Sequence, residues 1–202
     1  MGAAPSPIEP LRPSLATEHA ALVAYLDASN DEHDDEQPGD WAAGLSRWGR
    51  EPCLRAALAA AEAALPRWRV LHGDDARPLA ALSAAAAALD PLAEEARARA
   101  RQAADEAEQA VEELRRRPPP KGALEGAFRA AEKAALAAAE ACRVAAATDR
   151  PGLETHTRKA VQCAVGASVG AAWKVLSAWD AAEGRVRSVV RDALLDWLGR
   201  GA

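Results

Sequence analysis

Apolar residues recur at three- and four-residue steps along almost the whole chain, which is the period of one face of an α-helix. Prolines at 13, 38, 52, 66, 78, 91, 118–120 and 151 divide the pattern into segments. The first helix starts with Ser14 as N-cap and sets Leu15, His19, Leu22 and Leu26 on one stripe. After an acidic loop over 30–40 comes a short turn of helix around Trp41 to Trp48. A second helix from Glu51-Pro52 carries Leu54, Leu58, Ala61, Leu65 and Trp68, and Pro66 must kink or end it because proline lacks the N–H and clashes with the preceding turn. The third helix has Leu79, Leu82, Ala86 and Leu89 as its stripe.

The fourth, about Leu92 to Arg116, is the most strongly patterned, with Ala96, Ala100, Ala103, Ala107, Ala110 and Leu114 in step. Acids in its first turn and arginines in its last match the helix dipole, and Glu112–Arg116 and Glu113–Arg117 are i,i+4 pairs. The fifth repeats the rule with Leu124, Phe128, Ala131, Ala135, Ala138, Cys142 and Ala145, and ends at Asp149-Arg150-Pro151-Gly152. The sixth runs from about Glu154 to Ala182 with Val161, Val165, Ser168, Ala172, Val175 and Trp179 on one side, Gly184 marks a break, and the seventh carries Val186, Val189, Val190, Ala193, Leu194, Trp197 and Leu198. Gly166 and Gly170, four apart, are expected to let two helices approach closely.

Composition sharpens this into an all-α, alanine-rich, antiparallel bundle of about six to seven helices. Of 202 residues, 55 are alanine against 33 Leu, Val and Ile together. Alanine favours helix but carries little apolar area, so the core is thin and the few large residues, Phe128 and Trp179 among them, are expected to be its keystones. Val, Ile and Thr total only 16, too few for a sheet. Residues 1–50 read as an N-terminal arm with one helix and the acidic loop, and 51–202 as the alanine-rich bundle. Arg55 to Ala63 echoes Lys133 to Ala141, so a solenoid-like stack of hairpins is the alternative architecture.

A net charge of −5 with a pI near 5.5 argues against ordinary nucleic-acid binding. No stretch is apolar enough for a membrane span, and Met1 to Pro13 lacks the pattern of a signal peptide. Three cysteines (Cys53, Cys142, Cys163) have no framework spacing, which fits free thiols in a cytoplasmic protein.

Motifs that carry chemistry are few. The run Asp31-Glu32-His33-Asp34-Asp35-Glu36 lacks the ligand spacing of a calcium loop and reads as a solvated connection, or as negative charge presented to a basic partner. His72-Gly73-Asp74-Asp75 places an imidazole near two carboxylates, but helix capping accounts for the aspartates without catalysis. His156, Cys142 and Cys163 have no CxxC or HxxxH spacing, so no metal or other cofactor is expected. Trp41 and Trp48, seven apart, share a face. That face packs the arm on the bundle or forms a partner-binding surface.

An alanine-rich helix ending in Leu65-Pro66-Arg67-Trp68, followed by Gly73-Asp74-Asp75-Ala76-Arg77-Pro78, resembles the all-helical, Imm5-like immunity proteins encoded beside bacterial polymorphic toxins. The resemblance runs from about Arg50 onward, and its distinctive element is the Asp75-x-Arg77-Pro78 turn. It implies a non-enzymatic inhibitor that binds a cognate toxin. Within the resembling stretch Trp68, Asp74, Asp75 and Arg77 are candidate binding residues; the shared face of Trp41 and Trp48 adds those two, and the net charge with the acidic run adds Asp31, Asp34 and Asp35, expected to close over a basic active-site cleft. The competing classes are a helical-bundle enzyme or metalloprotein using His72, Asp74 and Asp75, and a self-associating scaffold.

Overall fold

The computed structural model describes residues 15–28, 37–90, 94–117, 123–172 and 175–200. Among these there are nine α-helices and no strand: α1 (Leu15–Ala28), α2 (Pro38–Gly44), α3 (Arg50–Ala64), α4 (Pro66–His72), α5 (Arg77–Ala87), α6 (Glu94–Arg116), α7 (Ala123–Ala146), α8 (Arg150–Val169) and α9 (Leu176–Arg200). Short 3-10 turns at Leu45–Trp48 and Gly170–Ala172 precede α3 and α9. The number exceeds the expected six to seven for two local reasons. The expected turn at 41–48 belongs to a helix of its own, α2, and the 3-10 turn after it, and Pro66 splits the expected second helix into α3 and α4. Leu65 between them keeps helical dihedrals, and its N–H still reaches the Ala61 carbonyl at 2.9 Å.

The fold is organised around α7, which touches α3, α4, α5, α6 and α8. Ala131, Ala134, Ala135, Ala138, Cys142 and Ala145 are all fully buried on it, as are Ala137, Ala139 and Ala141 between them. A helix covered on so many sides needs small residues all round, since its neighbours can close on it only where side chains are short. This is not a solenoid, whose units touch only their sequence neighbours. A three-residue connection makes α7 and α8 antiparallel. Asp149 caps α8 there by accepting the Gly152 N–H at 2.7 Å, with Pro151 in the first turn. The α6 stripe is buried as expected, from Ala96 to Leu114.

Three expectations are corrected. On α5 the buried positions are Pro78, Ala81, Leu82 and Ala85, while Leu79 is 42% exposed. Of the expected stripe Leu82 stays buried, while Ala81 and Ala85 take the other inward positions, so the helix is turned by about one residue from the leucine stripe. The break before the last helix falls at Gly170, whose φ of +56° ends α8, whereas Gly184 lies inside α9. Gly166 does lie against α7, where an added Cβ would meet Lys133 Cγ at 3.3 Å; Gly170 faces open space and is a terminator. Finally, Phe128 and Trp179 are only half-buried, and the large, fully buried side chains are Trp41, Leu26, Leu45, Leu54 and Leu194.

Arg50 performs a role with no sequence signal. Its guanidinium donates to the Ala145 carbonyl from Nη1 and to the Ala88 carbonyl from Nη2, both at 2.8 Å. One side chain thus ties the C-terminal ends of α7 and α5, whose last carbonyls have no helical partner. Among the described residues, no helix is long and apolar enough to cross a membrane.

The two glycines give opposite expectations. Gly170→Ala forces a side chain into a positive-φ position and should destabilise by about 1 kcal/mol. Gly184→Ala sits in open space within a helix and should stabilise by about 0.5–1 kcal/mol. Urea unfolding of both variants checks the pair. Equal effects would mean that α9 begins elsewhere.

Candidate functional site

The turn between α4 and α5 is a closed hydrogen-bonded unit. Trp68 is buried, packs against the tilted His72 ring with centroids 4.7 Å apart, and donates its indole N–H to the Asp75 carbonyl at 2.9 Å. The Asp75 carboxylate accepts the Arg77 backbone N–H at 3.1 Å and the Arg77 guanidinium at 2.7 Å. The same guanidinium grips Glu113 of α6 through two further bonds at 3.0 and 2.7 Å. Glu113 is thereby drawn to another helix rather than to the Arg117 one turn on. These hydrogen bonds hold the Asp75 carboxyl below the usual carboxylate range and push the Arg77 guanidinium up. Burial, helped by the nearby Arg117, pushes the His72 imidazole below its ordinary value. Both Asp75 oxygens are engaged by Arg77, so the turn is built as an inter-helix clamp. Asp74 is exposed beside it.

A second constellation forms where α1, the Leu45–Trp48 turn, α3 and α9 meet. Tyr25 of α1 stacks on Trp41 at 6.3 Å, donates its hydroxyl to the Trp41 carbonyl at 2.7 Å, and meets Trp48 at 5.0 Å. Gly44 leaves room for that hydroxyl, since a Cβ there would lie 2.4 Å from it. Arginines cover these rings: Arg47 over Tyr25 and Trp48, Arg187 over Trp41, and Arg55 over Trp197, at 4.8 to 5.9 Å from the centroids. Beside them opens a cleft of about 270 Å³ walled by Trp48, Trp197, Pro52, Leu22 and Leu198. The exposed Glu18 and the half-buried His19 line it from α1. A neighbouring cleft of about 410 Å³ shares Glu18 and Trp48 and adds Arg47.

The residues expected to bind are thus divided. Trp48 lines the cleft, Trp41 is wholly buried as the anchor of α1, and Trp68, Asp75 and Arg77 belong to the α4–α5 clamp. Asp31, Asp34 and Asp35 lie outside the described residues. Trp197 was legible only as a core position of the last helix; its place in the cleft depends on α1 and α9 meeting, which no local pattern encodes.

His156 bonds through Nδ1 to Glu140 at 2.7 Å, a nearly buried carboxylate that also receives Arg143 at 3.1 Å, while Arg143 pairs with Glu108. This network joins α6, α7 and α8. Burial raises Cys53 and Cys163 to about 11 and Cys142 to about 12, so the thiols stay protonated at neutral pH. Comparison with protein-family models, curated protein sequences and solved structures finds no match to this chain. The immunity-protein resemblance therefore stands on its quoted residues alone.

Asp75→Asn should loosen the clamp and cost about 1 kcal/mol at pH 7, a value discounted for partial solvent exposure. A carboxyl held below its unfolded value contributes fully above the ordinary carboxylate range and loses that contribution as pH falls through the folded value. The gap between parent and variant should therefore close below about pH 4. Denaturant titrations in steps from pH 7 down to about pH 2 check this, and a gap that stays constant over that whole range would rule out the ion pair as its source.

Proposed function

We propose that the protein is a non-enzymatic protein-binding module of the immunity kind, which binds a cognate bacterial toxin and neutralises it. The supporting observation is the cleft between Trp48 and Trp197. At about 270 Å³ it lies below the range of roughly 300–1,000 Å³ common for small-molecule sites, and it suits a single anchoring side chain. Tryptophans around a pocket are in keeping with the energetic centres of protein interfaces, which are enriched in Trp, Tyr and Arg. In this reading the acidic run 31–36 and the net charge of −5 steer a basic partner toward the protein and speed encounter rather than hold the complex. The clamp of Asp75, Arg77 and Glu113 serves to fix α5 against α6.

The test is to read the neighbouring genes for a toxin domain and to co-express any such domain with this protein. The expected outcome is restored growth of the toxin-producing cells and recovery of a stable complex of the two chains. Trp197→Ala, checked for native helicity by circular dichroism, should raise the Kd at least tenfold. Unchecked toxicity in the presence of abundant, folded protein would sink the reading.

A further inference from the structure

We propose that the cleft between α1 and α9 receives an arginine side chain of the protein partner, an inference that rests on the protein-binding reading and adds the chemistry of what is bound. Four observations converge on it. The walls contributed by Leu22, Pro52 and Leu198 are apolar and match the methylene stem of an arginine. Trp48 and Trp197 supply indole rings, the aromatic surfaces on which a planar guanidinium stacks best. Among the described residues lining the cleft the carboxylate is Glu18, a group with the geometry to accept two parallel N–H bonds from a guanidinium.

The fourth observation is the way this edge of the protein is already built. Tyr25, Trp41, Trp48 and Trp197 each carry an arginine of the chain itself at 4.8 to 5.9 Å. An incoming arginine extends an arginine–aromatic stack that is present. None of those resident arginines lines the cleft. Arg55 has its charge matched by Glu51 at 2.8 Å, and Arg47 lies in the neighbouring cleft. Glu18 is the carboxylate that the two clefts share, in a molecule whose overall charge of −5 draws basic partners.

The probe is N-acetyl-arginine amide, titrated into the full chain while the indole N–H signals of Trp48 and Trp197 are followed by NMR. Trp48→Phe and Trp197→Phe identify the two signals. N-acetyl-citrulline amide, which has nearly the same shape without the charge, and N-acetyl-leucine amide serve as comparators. Both indole signals should shift saturably with the arginine compound and bind it about fivefold more tightly than citrulline. Glu18→Gln, at an exposed position and checked for native helicity by circular dichroism, should remove that fivefold advantage and leave citrulline binding unchanged. Equal binding of leucine or citrulline, or an arginine affinity untouched by Glu18→Gln, would overturn the proposal. Arginine binding that persists in a protein unable to protect against the toxin would retire the toxin reading and leave this one standing.

Discussion

Five helices close on α7, and they do so because almost every buried position on it is alanine or another small residue. Each such contact contributes little apolar area, but short side chains bring backbones together, so many weak dispersion contacts accumulate along long interfaces. The constraint is steric before it is energetic. A single large side chain in the middle of α7 would push a neighbour outward, and that neighbour also packs on others, as α3 does on α8 and α9.

That packing leaves the large residues little room at the centre. Trp41, Leu26 and Leu45 are buried where α1, α2 and the first 3-10 turn join the body, and Trp48 and Trp197 stand at the open edge of the same region. The aromatic cleft is thus a consequence of the alanine core. Rings that do not fit between close-packed helices collect at a peripheral helix, and Arg47, Arg55 and Arg187 stack over them. Polar side chains tie the elements from outside in the same way. Arg50 bridges two helix ends, Arg77 joins the α4–α5 turn to α6, and Glu140 gathers Arg143 and His156.

The all-helical class and the most periodic segments were legible because a charged face contrasts with an alanine stripe, as on α6. On α5 alanine occupies both faces, so the stripe was drawn through the leucines, and the helix is in fact turned so that alanines face inward. Gly170 and Gly184 look alike in sequence. Only the backbone distinguishes the terminator at φ +56° from the glycine within a helix. Asp149 and Pro66 acted as local chemistry requires, whereas Arg50–Ala145, Arg77–Glu113 and Trp48 with Trp197 span 95, 36 and 149 residues of chain, distances across which no spacing rule operates. The candidate site belongs to this second group, and half of it was visible, through Trp48.

The claim on which the rest depends is that α7 holds alanine because nothing larger fits. Equilibrium unfolding of Ala138→Leu, at a fully buried position on α7, compared with Ala63→Leu at an exposed position on α3, tests it directly. Overpacking should lower the stability of Ala138→Leu by about 1–3 kcal/mol, while Ala63→Leu stays within about 0.5 kcal/mol of the parent. An Ala138→Leu protein as stable as the parent, or more stable, would contradict the account.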